Sequence, residues 1–509
     1  MSQVRGRSVA RNTLTVMLGT LGSRILGLVR QVVLVSLGFF PTALTDSFAI
    51  AFQISNLFRE LLAEGALVNS FIPVYQQLSP EERPKLAASF SGALLAINMV
   101  LLGLGLTFAP QIVALLTADS PHVNLPQTIY LARLMMPFLT FISLSAIAMG
   151  LLNANEWFWE SSFAPLAFNA VAILVMLLFP HSPLWLGLSA TAGGAAQFLV
   201  QLPGLRRHRL IHSVTLRPHP KLGRVLLLMA PFTLTTGARQ IFSVFLIRIL
   251  SQFPVGANTA YLNSNTIFQL VLGLFAVSPA LAVYPRMASR AAEGDWPGFG
   301  EFTLRALRLV LFFAAPISAL LLILAPSVMA ALYNWHSGYN VHRYLFSWQI
   351  LTTFSLALIP WGLNAIMLRT FYVRQRSLEP LIVTAAAFGG DTVLYLHFYL
   401  IFGLYGMGLA TTLTGWVSTA LLAWLYHRQV PLGFPLRALA SYGLQVLLAA
   451  AGAGLVVWGL ARVLPRPGSF LPSLITLAVG GTAGLLVYGL LVAALGLPEW
   501  QDLRRRLKI

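Results

Sequence analysis

Six ionisable side chains lie inside two apolar segments near the start of the chain. They are Arg24, Arg30, Asp46, Arg59, Glu60 and Glu64. An ionisable group at the centre of a bilayer costs roughly 2.5–3.5 kcal/mol, so such groups normally face a watery cavity or a partner of opposite charge. The spacing and types of these residues therefore predict a polar functional path through a membrane, or an ion-pair network that joins the two segments.

The composition identifies the class of protein that must position these side chains. Of the 509 residues, 57% are hydrophobic and only 9% are charged, whereas soluble domains carry about 25% charged residues. This balance predicts an all-α polytopic membrane protein. The chain has no cysteine, which excludes disulfides, thiolate metal sites and cysteine catalysis.

Apolar runs near the length of a membrane span recur along the whole chain. We predict about fourteen transmembrane helices, at 13–39, 43–75, 86–117, 127–152, 161–180, 183–205, 222–250, 258–285, 302–333, 344–372, 379–402, 404–426, 435–463 and 470–497.

The distribution of the positive charges sets the expected orientation. The net charge is +18, and with the N-terminus in the cytoplasm 23 of the 33 Lys and Arg residues fall on the cytoplasmic side, against three on the opposite side. The positive-inside rule then predicts that both termini are cytoplasmic. The basic excess is a topology signal that also suits anionic membrane lipids, so we expect no nucleic-acid partner.

The longest polar connector divides the chain into repeated parts. The basic segment 206–224 follows the sixth span and separates an N-terminal six-helix lobe at 1–205 from a C-terminal six-helix lobe at 225–427, with two further helices and a basic tail at 428–509. Six-plus-six repeats are a common plan of transporters. The chain contains no phosphate-binding Gly-rich loop, HExxH or GxSxG pattern, so we expect neither an ATPase nor an enzyme.

Four short motifs in the first two spans carry a family resemblance. They are S-R-x-L-G-x-x-R at 23–30, T-D-S-F at 45–48, N-L-F-R-E-L-L-A-E-G-A at 56–66 and F-I-P-V-Y at 71–75. In their order and spacing they resemble the MurJ/MviN family of lipid II flippases, within the multidrug/oligosaccharidyl-lipid/polysaccharide exporter superfamily. The resemblance extends to the number, order and orientation of all fourteen spans.

The resemblance implies an alternating-access flippase of the bacterial inner membrane. It would carry lipid II, an undecaprenyl-pyrophosphate-linked peptidoglycan precursor, from the cytoplasmic to the outer leaflet for cell-wall synthesis. Its partners would be this lipid, the surrounding membrane lipids and the cell-wall synthesis machinery, and it would need no cofactor. Alternatives are an exporter of another polyprenyl-linked saccharide, a cation-coupled drug antiporter of the same superfamily, or a membrane scaffold.

The resemblance also implies the residues that face the cavity, namely Arg24, Arg30, Asp46, Arg59 and Glu64. We expect the arginines to bind the pyrophosphate, because a guanidinium stays charged and binds phosphate through two N–H groups. The two acids would pair with these arginines when substrate is absent. Because Arg24 and Arg30 lie about 240° apart around one helix, one of them could instead serve an ion pair. The alternative role for all five is a fixed salt-bridge network.

The chain departs from the family pattern at several positions. Gln31 replaces an acid that many members carry, and Glu60 stands where many members have a second arginine. In the eighth span, Thr266 and Gln269 replace a charged pair. We therefore expect Asn265 and Gln269 to supply hydrogen bonds in the second half of the cavity.

Asp391 is the acid buried in the second half of the chain. Some family members bind sodium between the seventh, eleventh and twelfth spans, and Asp391 with Thr411 could form a similar oxygen-ligand site for Na⁺ or H⁺ coupling. Arg248, however, lies where we would expect another acid. We therefore favour an ion pair between Arg248 and Asp391 over a cation site or the absence of a role.

Overall fold

The structure is a computed structural model. It describes residues 2–36, 43–62, 66–211, 213–334, 341–376, 378–430, 435–465, 467 and 469–507. Within these residues the secondary structure is helical and contains no strand, which confirms the all-α prediction.

The chain forms two compact units, Met1–Asn258 and Thr259–Ile509. In the described part of the first unit, helices α1 to α11 run over Ser2–Leu34, Ala43–Leu62, Ala66–Gln76, Arg83–Thr107, Ala109–Thr117, Leu125–Met135, Phe138–Ala154, Phe158–Leu178, Pro183–Leu199, Leu202–Arg207 and Leu222–Leu250. Helix α12, Ala257–Leu272, begins at the boundary, and a π-helical turn at Gly273–Val277 follows it. Helices α13 to α20 run over Ser278–Ala292, Trp296–Tyr333, Val341–Val373, Leu378–Phe402, Tyr405–Gln429, Leu436–Ala461, Phe470–Ala494 and Pro498–Leu507.

Helices lie in all fourteen of the predicted spans. Ten helical segments of the described chain are long and apolar enough to cross a membrane, and one of them, Leu125–Ala154, consists of α6 and α7. The other four predicted spans correspond to α2 with α3, α9, α11, and α12 with α13. Several spans are broken where proline begins a new helix, as at Pro110 at the start of α5, because proline has no N–H for the preceding turn.

The packing boundary between the units falls later than the basic connector at 206–224. Helix α11 packs against α2, α3 and α5 of the first unit, so the seventh span belongs to that unit by its contacts. The prediction of two six-helix lobes joined at 206–224 concerns the repeats of the sequence, and it stays a prediction.

The helices that surround the candidate site belong to the first unit. Helix α1 packs along α8, α8 packs against α9, and α7 contacts both α4 and α9. The second unit is built around α14 and α15, with α17 packed on α15 and with α18 and α19 packed on α14.

Candidate anion-binding cavity

The first unit encloses a cavity of about 510 Å³ between α1, α2, α7, α8 and α9. Its lining residues are Ser23, Arg24, Gly27 and Arg30 of α1, Phe52, Asn56 and Arg59 of α2, Phe138, Ile142, Ala146 and Met149 of α7, Pro165, Phe168 and Asn169 of α8, and Gln197 of α9. Among these described residues the arginines carry the only charges. The cavity therefore presents three cations in walls that are otherwise neutral and largely apolar.

Arg24 and Arg30, the two arginines of α1 that the sequence singled out, both line this cavity. Arg24 is exposed, whereas Arg30 is half-buried. A rotation of about 240° around the helix, which is about 120° by the shorter way, allowed one of the two to point elsewhere. The lining nevertheless includes both side chains, together with residues of α2 and α8.

The Arg30 guanidinium contacts two aromatic rings. Its Cζ atom is 4.8 Å from the ring centroid of Phe52 and 5.2 Å from that of Phe168. Cation–π contacts of this kind contribute about 0.5–2 kcal/mol each. A cation–π contact uses the charge of the guanidinium and not its N–H groups, so these groups can still donate to an anion.

The Arg59 guanidinium is held by a neighbour on its own helix. Its Nε donates to Oδ1 of Asn56 at 2.8 Å, and Nδ2 of Asn56 donates to Oε1 of Glu60 at 3.0 Å. The other carboxylate oxygen of Glu60 accepts a hydrogen bond from Nε2 of Gln240 in α11. Arg59 thus begins a chain of hydrogen bonds that reaches α11.

Of the two acids predicted to face the cavity, the structure describes Asp46 but not Glu64. Asp46 is 3% exposed, and one of its carboxylate oxygens accepts a hydrogen bond from the backbone N–H of Gly256. It is absent from the cavity lining and lies thirteen residues before Arg59 in α2, about 20 Å along the helix axis. Glu64 lies outside the described residues.

Sequence reasoning missed several polar residues of the cavity. Asn169 donates through Nδ2 to the carbonyls of Ser23 and Pro165, at 3.3 and 3.1 Å, and so joins α8 to α1. Gln197 and Asn56 also line the cavity. The available signal was an amide side chain within an apolar span, since such side chains normally find partners inside a helix bundle.

The polar residues predicted in the second half of the chain lie in the second unit. Asn265 is half-buried and Gln269 is exposed, both on α12. Asp391 is 6% exposed and accepts a hydrogen bond from the hydroxyl of Thr414. The hydroxyl of Thr411 lies 2.8 Å from Oη of Tyr395.

Arg248, in the first unit, donates from Nη1 to the carbonyl of Leu115 at 3.1 Å. Leu115 is in the last turn of α5, where a cation interacts favourably with the helix dipole. The ion pair between Arg248 and Asp391 stays a prediction. Among the residues that the structure describes, no group of three His, Cys, Asp or Glu side chains is arranged to hold a metal ion.

Comparison with known sequences identifies one family. The family model described as "Lipid II flippase MurJ" matches residues 35–478. The chain is 26% identical over 476 residues to the "Probable lipid II flippase MurJ" of Treponema pallidum (strain Nichols), covering 89% of this chain and 88% of that protein. It is 29% identical over 381 residues to the "Lipid II flippase MurJ" of Burkholderia cenocepacia, covering 72% and 73%.

Solved structures share the fold. The chain is similar to "Lipid II flippase MurJ, inward closed conformation", with a TM-score of 0.78 and 22% identity over 95% of this chain and 99% of that chain. It also resembles an inward-facing multidrug resistance MATE family transporter of the MOP superfamily, with a TM-score of 0.65 and 16% identity over 82% and 95%. At these identities the likeness concerns the fold alone.

Proposed function

This chain belongs to the lipid II flippase MurJ family, and we propose that it carries lipid II from the cytoplasmic to the outer leaflet of the membrane by alternating access. It is a transporter and not an enzyme. The observation that carries the proposal is the cavity of the first unit, which brings Arg24, Arg30 and Arg59 together.

The chemistry of the cavity suits a pyrophosphate-linked lipid. A pyrophosphate offers several anionic oxygens, and each guanidinium can donate two N–H groups to them. Three arginines, with no carboxylate among the described lining residues, give the cavity a net attraction for such an anion. The neutral amides Asn56, Asn169 and Gln197 can donate or accept hydrogen bonds with a sugar–peptide head group.

We assign different roles to the remaining predicted residues. Glu64, Asn265 and Gln269 stay proposed substrate contacts. Asp46 is proposed to stabilise the first unit, because it accepts from Gly256 and lies far from Arg59 along α2.

The proposal extends to the location and partners of the protein. We place it in the bacterial cytoplasmic membrane with both termini in the cytoplasm, on the strength of the positive-inside rule. Lipid II is its proposed substrate, and the enzymes of cell-wall synthesis are its proposed neighbours.

We further propose that transport needs no resident cofactor and, as the alternative to the predicted Arg248–Asp391 ion pair, that it is coupled to a cation, Na⁺ or H⁺, through Asp391. A buried carboxylate beside hydroxyl oxygens is the type of ligand set that hard cations prefer, and Arg248 already donates to the carbonyl of Leu115. Replacing Asp391 by Asn keeps the shape and removes the charge. We expect the Asp391→Asn variant to fold normally and to lose the stimulation of transport by a cation gradient.

The measurement for Asp391→Asn is lipid II transport with and without imposed Na⁺ and H⁺ gradients, together with the unfolding temperature. Gradient-dependent transport at the wild-type level, combined with a lower unfolding temperature, would show that Asp391 is structural, as an ion pair with Arg248 would require. Thr412→Val is the matched control, because its hydroxyl donates to Gly408 within α17.

The test of the function itself is leaflet exposure of lipid II in proteoliposomes that contain the purified chain. We expect lipid II to reach the far leaflet faster than in protein-free vesicles. A different undecaprenyl-pyrophosphate saccharide and a cationic drug, assayed in parallel, address the two alternative substrates. Transport of either one without lipid II would keep the exporter fold and reject the substrate.

A further inference from the structure

Glu60 is an acid next to a proposed substrate arginine, yet it does not line the cavity. Its side chain is half-buried on α2, and its two carboxylate oxygens accept hydrogen bonds from donors on two helices, α2 itself and α11. Asn56 donates from α2, and Gln240, which is 6% exposed, donates from α11.

The hydrogen bond to Glu60 fixes the orientation of the Asn56 amide. An asparagine amide carries one acceptor oxygen and one donor NH₂ group. Arg59 needs the oxygen, because its Nε is a donor. If the amide turned over, its NH₂ would face the N–H of Arg59, and its oxygen would face the Glu60 carboxylate. Both contacts would be repulsive, so Glu60 keeps Asn56 in the orientation that holds the guanidinium.

A fixed guanidinium is the better phosphate ligand. Bidentate binding requires the planar fork of N–H groups to face the anion in one orientation, and a side chain that is already held loses less entropy on binding. The second carboxylate oxygen of Glu60 accepts from Gln240, which lies 180 positions later in the sequence. This hydrogen bond connects the orientation of Arg59 to α11.

We propose that Glu60 is a positioning residue that orients Arg59 through Asn56 and ties this orientation to α11 through Gln240. The inference rests on the proposed function only in taking Arg59 as a ligand of the pyrophosphate. A movement of α11 that breaks the Gln240 contact would loosen Arg59, and an anion that engages Arg59 would favour the arrangement in which α11 is held.

The alternative is that Glu60 acts only through its charge, and the two explanations predict opposite signs. Removing a negative charge beside the cavity should strengthen anion binding if charge alone matters. If Glu60 instead orients Arg59, removing the acceptor for Asn56 should weaken anion binding. Glu60→Met and Glu60→Gln form a matched pair, because both are neutral and of similar length. Only the glutamine keeps an oxygen for Asn56, and Gln240 can turn its amide to accept from the new NH₂ group.

The experiment measures binding of inorganic pyrophosphate to the full-length purified chain by calorimetry. We expect Glu60→Met to weaken binding about tenfold, the value of one hydrogen bond to a charged group. We expect Glu60→Gln to stay within about threefold of the wild type, since its hydrogen bonds can be kept. The proposal would be overturned if both variants bound pyrophosphate as tightly as the wild type or more tightly. It would also be overturned if the wild type did not bind pyrophosphate.

A second variant tests the link to α11 and remains informative if Glu60→Met does not fold. Gln240→Leu removes the α11 donor without touching the cavity lining, and we expect it to weaken pyrophosphate binding about threefold. The control is Gln252→Leu, just beyond α11, where the amide donates to the carbonyl of Thr117 instead. Equal binding by these two variants would remove α11 from the proposal. Lipid II transport is assayed separately, so that failed transport with the expected binding pattern would reject the function and keep the positioning role.

Discussion

Proteoliposomes that contain the Arg24→Ala/Arg59→Ala double variant are expected to leave lipid II in its starting leaflet, with transport reduced at least about a hundredfold. Each arginine offers charge-assisted hydrogen bonds worth about 1.5–3 kcal/mol, and each 1.4 kcal/mol corresponds to a factor of ten in affinity. Arg24 and Arg59 line the cavity from α1 and α2, so the double variant removes two of the three guanidinium groups that line it.

The control for the double variant must remove the same charge elsewhere. Arg133 and Arg207 are both exposed and neither lines the cavity. We expect the Arg133→Ala/Arg207→Ala variant to transport lipid II within about twofold of the wild type, since exposed charges of this kind contribute little. Unfolding temperatures of both double variants show whether each is folded. Wild-type transport by a folded Arg24→Ala/Arg59→Ala variant would mean that the protein binds its substrate elsewhere.

The sequence was a good guide to those features that depend on local composition. Apolar runs located helices in all fourteen predicted spans, because burial in a membrane requires a continuous apolar segment of nearly fixed length. The cost of an ionisable group in such a segment also singled out Arg24, Arg30 and Arg59, and all three line one cavity. These inferences need no knowledge of which helices become neighbours.

Contacts between distant segments could not be read in the same way. The hydrogen bond from Gln240 to Glu60 joins positions 180 residues apart, and nothing local in either segment specifies the other as a neighbour. Asp46 is a second example, and its role as a substrate contact stays a prediction. It shares a helix with Arg59, but thirteen residues of axial rise separate the two side chains, and the acid accepts from a backbone amide at Gly256 instead.

The position of Phe168, one of the two rings that contact Arg30, depends on a glycine pair in α9. A Cβ atom at Gly193 would lie 2.8 Å from both Cδ2 and the backbone oxygen of Phe168, and one at Gly194 would lie 2.7 Å from Cδ2 of Phe138. The rings of Phe138 and Phe168 are themselves in contact, with centroids 5.6 Å apart. The two glycines therefore allow α9 to approach α7 and α8 closely, and this approach sets the position of the Phe168 ring.

Gly193→Val is expected to lower the unfolding free energy by about 2–3 kcal/mol, as is typical of overpacking at a closed contact, and to reduce lipid II transport at least about tenfold. The backbone oxygen of Phe168 cannot turn away as a side chain can, so α9 must move away from α8. Phe168 would then shift relative to Arg30, and the guanidinium would lose one of its two ring contacts.

The same substitution at Gly103 provides the control. Gly103 also lies in a membrane-spanning helix of the first unit, but a Cβ atom there meets no other atom within 4 Å. Thermal unfolding and lipid II transport of Gly103→Val should both match the wild type. If Gly193→Val lowered the unfolding temperature while transport stayed at the wild-type rate, the ring contact with Arg30 would be dispensable for function. If Gly193→Val lost both stability and transport while Gly103→Val lost neither, the packing of α8 against α9 would set the anion site, since Gly193 does not line the cavity.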